Sequence, residues 1–281
     1  MNKGFKVFIL LSMVLSFTFF ASNNTDFYWY KTSNSTDTVS EFKKPDGGNI
    51  PDPNDWVIYT KEGLNVTGNP SIDGNIIIEK TDKVEKTGSN LKNNIFIKVL
   101  IDYTEESIKE NFTDGQVLVD PKIQRPAANF CNIDPSDYIE VFTRYVGHGG
   151  VNYAKGIRCP NEDYIDISPN TIIKGGVYAD KNGAWNQKLS ISSNVKIYGD
   201  VFLPHFKTVE LSGGNVDKMV IEGAICAENA TYFPISGNVI IHNGIYAPKA
   251  DITISGNAEI YGKIYCKSLT INSDVIIDGD I

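Results

Sequence analysis

The side chains that could do chemistry are few. Histidine occurs three times, at His148, His205 and His242, and arginine three times, at Arg125, Arg144 and Arg158. His242 stands in His-Asn-Gly, where a general base could sit in a turn. His205 follows Pro204, and His148 lies in Gly-His-Gly-Gly. All three read as solvated turn residues. Acid–base cleavage of a polysaccharide would need paired aspartates for a cation and an Arg or Lys base. Asp73, Asp200 and Asp278 adjoin turn glycines, but they do not recur as pairs at ligand spacing. The four cysteines, Cys131, Cys159, Cys226 and Cys266, fit no zinc spacing. No catalytic residue, metal ligand or cofactor is expected.

Aromatic residues carry a different chemistry. Tyr178, Phe202, Tyr246 and Tyr265 each follow an aliphatic residue shortly after a glycine. If the aliphatic neighbours point into a core, these four point out and stack as a column. They are the candidates for ligand or partner contact, with saccharide rings as one ligand class. In the same register Cys226 points out and Cys266 points in, so those two should not bond. Cys131 and Cys159 could pair in an oxidising location, or remain buried thiols.

What must position this column is an internal repeat. Its clearest copy is Ile252-Thr-Ile-Ser-Gly-Asn257 followed by Ile260-Tyr-Gly262. The turn-forming positions recur as Asn69 and Gly74, Asn170 and Gly175, Asn194 and Gly199, Asn215 and Gly223, Asn238 and Gly244, and Asn257 and Gly262, ending at Gly279. The Asn-to-Gly step is five residues in most copies, and from Gly175 onward successive glycines lie 17 to 24 residues apart. Each copy holds short alternating strands that cannot bury an apolar face alone. Stacking copies about 4.8 Å apart pairs every backbone with the rungs above and below. The expected fold is all-β, a parallel β-helix (β-solenoid) of about seven coils.

The copies set the domain plan. Residues 56–78 form a first coil and 164–281 the main array. Between them, 79–163 reads as an α+β insertion, with a strand at Ile95–Ile101 and a helix over Tyr103–Phe112 capped by Thr104. Residues 1–21 carry Lys3 and Lys6 before an apolar run too short for an ordinary membrane span, which needs ~20 residues. That is an export signal, either cleaved or kept as an anchor. Residues 22–55 are a polar tether, rich in Asn, Ser, Thr and Pro.

Composition narrows the function further. The 281 residues carry a formal charge of -8, with no basic run, which speaks against nucleic-acid binding. Contact with a membrane is expected only through the N-terminal segment. The last coil ends without a capping helix, leaving a strand template for self-association.

Tyr59-Thr-Lys-Glu-Gly-Leu-Asn-Val-Thr-Gly-Asn69 and Gly244-Ile-Tyr-Ala-Pro-Lys-Ala-Asp-Ile-Thr-Ile-Ser-Gly-Asn257-Ala-Glu-Ile-Tyr-Gly262 resemble the β-helical domains of PilX-like, type IV pilus-associated surface proteins. The coils are also similar to bactofilins. The resemblance spans residues 57–78 and 164–281 and implies an exported structural role in a pilus or envelope assembly, with no catalytic residues to carry over. The chain departs from the PilX-like pattern where Asn23 onward breaks the long helix expected after the apolar segment.

Overall fold

The computed structural model describes residues 56–88, 91–119, 123–126, 131, 137–183 and 185–279. The expected signal and tether, 1–21 and 22–55, lie outside the described residues. The rest is a parallel β-solenoid of about ten turns, with one short helix. Three turns more than expected come from 79–163, which is not set apart from the array. Asn75–Lys80, Ile95–Val99 and Val117–Val119 extend one face of the stack, while Tyr138–Glu140, Tyr145–Val146 and Asn152–Tyr153 begin the rungs at its opposite end.

Each full rung has three sides. The first and second faces belong to one 17-stranded sheet, and the third face is an eight-stranded sheet. Alternation along most strands decides what is inside. In Lys188–Ser192, Leu189 and Ile191 are buried while Lys188, Ser190 and Ser192 face outward. On the first face one inward column runs Ile157, Val177, Val201, Ile225, Ile245, Ile264, Ile58, Ile76 and Ile95, all fully buried. Each such aliphatic contributes roughly 1.5–3 kcal/mol.

The spatial order of rungs is not the chain order. The last coil, Ile264–Ile271 with Ile276–Asp278, is sandwiched between two others. One neighbour is Ile245–Ile254 and the other is the first coil, Trp56–Val66 with Ser71–Asp73. The C-terminal coil is therefore not the exposed end expected to self-associate. Its strand edge is taken up by the N-terminal coil, which needs the same pairing. From there the chain adds two rungs outward and closes that end with the helix Glu105–Phe112. Thr104 caps it through a reciprocal pair of hydrogen bonds with Ser107, and Ile108 and Phe112 are buried against the core.

The corner residues have two distinct jobs. Asparagines stack along the rod: Asn170 N–H donates to Asn194 Oδ1 at 3.0 Å, Asn238 Nδ2 to the Asn215 carbonyl at 2.9 Å, and Asn257 Nδ2 to Asn238 Oδ1 at 3.2 Å. Asn69 N–H donates to Asp274 Oδ1 at 3.2 Å. Gly244 has φ +81°, and a β-carbon there would also strike the Lys263 backbone of the next rung. Gly223 lacks the left-handed backbone and is required only because the Asp200 backbone lies against it.

Candidate functional site: a covered aromatic ladder

The four sequence-nominated aromatics share one outward column on the first face. Tyr178 registers with Phe202, Phe202 with Cys226, Cys226 with Tyr246, and Tyr246 with Tyr265. The ladder then continues into residues that the repeat did not nominate: Tyr59, Ile77, Phe96 and Leu118. Tyr59 belongs because Ile58-Tyr59 stacks directly on Ile264-Tyr265. The aliphatic–aromatic dipeptide was the available signal, but the repeat's turn glycine does not precede it. Ring contacts knit the ladder together, with centroids 5.7 Å apart for Tyr178–Phe202, 5.4 Å for Tyr246–Tyr265 and 5.1 Å for Tyr59–Tyr265. Trp56 lies edge-on to Tyr59 at 5.9 Å, with the Lys263 ammonium 5.0 Å from its ring.

Much of this ladder is not open to solvent. The chain must return from Val119, at the helix-capped end, to Tyr138 at the other. That crossing is about ten strand spacings, or about 48 Å, a distance the intervening residues are numerous enough to span. Ile123 and Cys131 from the return segment pack in one apolar cluster with Trp56, Tyr59, Ile77, Phe96, Tyr246 and Tyr265. Tyr246 and Tyr265 are buried, and burial pushes the Tyr265 hydroxyl up to about 12. Tyr178 and Phe202 are half-buried.

A disulfide fixes the crossing. Cys131 is bonded to Cys226, with Cα atoms 6.1 Å apart and a separation of 95 positions in sequence. The Cys131–Cys159 pairing considered from the sequence does not form. Cys159 faces the core beneath the first face and is fully buried, whereas Cys226 presents its sulfur outward where the return segment passes. Cys159 and Cys266 are free thiols, and burial pushes both well above the ordinary thiol range.

A second clasp is ionic. Arg125 Nε donates to Glu79 Oε2 at 2.8 Å and its Nη2 to Oε1 at 2.6 Å. The Tyr59 hydroxyl donates to Glu79 Oε2 at 3.2 Å. Burial alone would raise the Glu79 carboxyl. The Arg125 hydrogen bonds and charge, with Lys98 and the Tyr59 hydroxyl, outweigh it and hold the carboxyl below its ordinary value. Tyr59 moves the other way, raised by burial and then by Glu79, so it stays a donor.

The clasp has a signed pH dependence. Because Glu79 titrates lower when folded, its contribution is complete above the unfolded value, about 4.5, and is lost as pH falls through the folded one. Arg125→Ala leaves the carboxylate buried without its cation. The expected cost at pH 7 is about 2–3 kcal/mol, below the figure for a fully buried pair because half of the Arg125 side chain meets solvent. In urea melts the gap between wild type and variant should narrow from pH 7 to pH 4. A gap that is constant with pH would mean that Arg125 acts by packing alone.

The histidines and aspartates considered for chemistry sit elsewhere. His242 lies on the third face, its ring stacked on Tyr261 at 5.3 Å and its Nε2 3.6 Å from Glu222 Oε2. His148 is exposed in the 147–150 turn and His205 is half-buried in a bend. Asp200 Oδ1 accepts from the Ala224 N–H at 2.7 Å, a bond between rungs. Asp73 and Asp278 are register neighbours on the third face. Among the described residues no three His, Cys, Asp or Glu side chains gather into a metal-binding group, and no helix is long and apolar enough to cross a membrane. Comparison of the chain with protein-family models, with curated proteins and with solved structures finds no match.

Proposed function

We propose that this chain is an exported, non-catalytic structural protein that serves in a cell-surface or envelope assembly, held to the membrane only by its N-terminal segment. The observation that carries the reading is the fate of the aromatic ladder. Its most chemically distinctive face is spent on the chain's own return segment, clasped by the Cys131–Cys226 disulfide and the Arg125–Glu79 pair. A disulfide between distant parts of a fold belongs to an oxidising compartment, which favours an extracytoplasmic location. A saccharide platform across Tyr246 and Tyr265 would need these rings bare, and they are buried. The resemblance to PilX-like surface proteins, resting on residues 59–69 and 244–262, points to a pilus or envelope component as the setting.

The test is cell fractionation with thiol trapping. The protein should appear outside the cytoplasm, with Cys131 and Cys226 resistant to alkylation until reduced. Cys159 and Cys266 should label only after denaturation, since both are buried. Cytoplasmic protein with four reduced cysteines would overturn the reading.

A further inference from the structure

The two ends of the rod differ. One is closed by the helix Glu105–Phe112, whose Ile108 and Phe112 are buried against the core. The other is the coil 137–153, and nothing comparable lies over it among the described residues. Among the described residues Tyr145–Val146 pairs only with Tyr164–Ile167, and Asn152–Tyr153 only with Ile172–Ile173. Each presents its outer edge.

The side chains show that this edge opens the core itself. Ile139 registers with Ile157 and belongs to the inward aliphatic column. Every member from Ile157 to Ile95 is fully buried, yet Ile139 is 43% exposed, with no rung beyond it among the described residues. Val151 precedes the third-face strand as Thr171 does one rung on; Thr171 is fully buried and Val151 is 40% exposed. Phe142, 64% exposed, and Tyr145, 52% exposed, flank the opening. Four large apolar residues exposed within one short coil make a patch of the kind that marks an interface.

We infer that this coil is a docking surface for a second copy of the same chain, joined end to end about a two-fold axis across the rod. This rests on the structural reading above and names the partner. Charge permits it: in a chain of net charge -8, residues 137–155 carry two acids, Asp137 and Glu140, against two bases, Arg144 and Lys155. Glu140 is further satisfied by Arg158 at 3.0 Å. A two-fold axis places the open strand edges antiparallel, so each copy supplies the missing rung of the other and Ile139 and Val151 become core in both. At the far ends the helix covers the second face and Val117, the last residue of the inward column, stays half-buried against the core, so the core lies open at one end only and the assembly stops at two copies.

The experiment is sedimentation velocity of the purified full chain across concentration, with electron microscopy of the same samples. A concentration-dependent dimer, seen as particles of twice the rod length, is expected. Phe142→Asp with Val151→Asp should raise the dissociation constant roughly a hundredfold or more. Ile101→Asp, at the helix-capped end, should leave it unchanged. Growing filaments would overturn the inference, as would a monomer at every concentration or a dimer indifferent to the paired substitution. A monomer would leave the extracytoplasmic structural reading standing. Cytoplasmic location would remove that reading and leave the dimer.

Discussion

Removal of residues 264–281 is expected to unfold the protein, not to trim it. In a stacked array each rung is stabilised by its neighbours, so loss of a true end costs one interface. Here the C-terminal coil is the inner rung that joins 137–263 to 56–119. It is hydrogen-bonded to Ile245–Ile254 on one side and to Trp56–Val66 on the other. The deletion takes out buried Ile264, Tyr265, Cys266, Leu269, Ile271, Val275 and Ile277 and bares the two flanking rungs. At roughly 1.5–3 kcal/mol for each large aliphatic, the loss equals or exceeds the about 5–15 kcal/mol by which most domains are stable. Ile264→Asp should reach much of that effect alone, by placing a charge in the aliphatic column. Ile101→Asp, half-exposed at the capped end, should cost under about 1 kcal/mol. Circular dichroism and urea melts read the outcome. A truncated chain that still melts cooperatively near the wild-type midpoint would show that 56–119 does not depend on that coil.

The rung chemistry was legible in the sequence because it is local. Ser-Gly-Asn turns, alternating isoleucines and the Asn-to-Gly step all report what one coil needs, and they lead to a parallel solenoid. Thr104, Glu105 and Glu106 likewise announce the helix before any packing is known. Rungs within 79–163 were missed for the same reason. Ile95–Val99 and Gly156–Arg158 stack as well as the others, but they lack the Ser-Gly-Asn punctuation, and a helix replaces one strand.

What is not local was not legible. Repeats state that coils stack, not in what order, and Leu64-Asn-Val-Thr-Gly-Asn69 reads the same beside its chain neighbours as beside Leu269-Thr-Ile-Asn. The disulfide has the same character. Cys131 sits in a segment without repeat signature and meets Cys226 only because the chain must return along the first face. The four nominated ladder residues share one column in register, while their exposure depends on that return path. Arg125 and Glu79 gave no signal, being 46 residues apart in segments of different pattern.

Glycine substitutions should separate the two demands made by the corners, with losses ordered Gly244, then Gly223, then Gly183. Gly183 has φ +108° and open space where a β-carbon would sit, so Gly183→Ala feels backbone strain alone, about 1–2 kcal/mol. Loss of freedom in the unfolded chain returns part of this. Gly223 has no left-handed backbone, but its β-carbon would overlap the Asp200 backbone and side chain. Gly223→Ala therefore feels the collision alone, about 2–3 kcal/mol, because neighbouring rungs share a fixed spacing and cannot part locally without breaking ladder bonds. Gly244 combines φ +81° with contact against the Lys263 backbone. Gly244→Ala should cost about the sum, 3–5 kcal/mol, since strain and overlap act on different coordinates. Urea melts of the three variants decide it. If Gly244→Ala lost no more than Gly183→Ala, the rungs would be yielding to the added carbon. Glycine at the corners would then reflect backbone conformation only, and the close approach of one coil to the next would not be a constraint on the sequence.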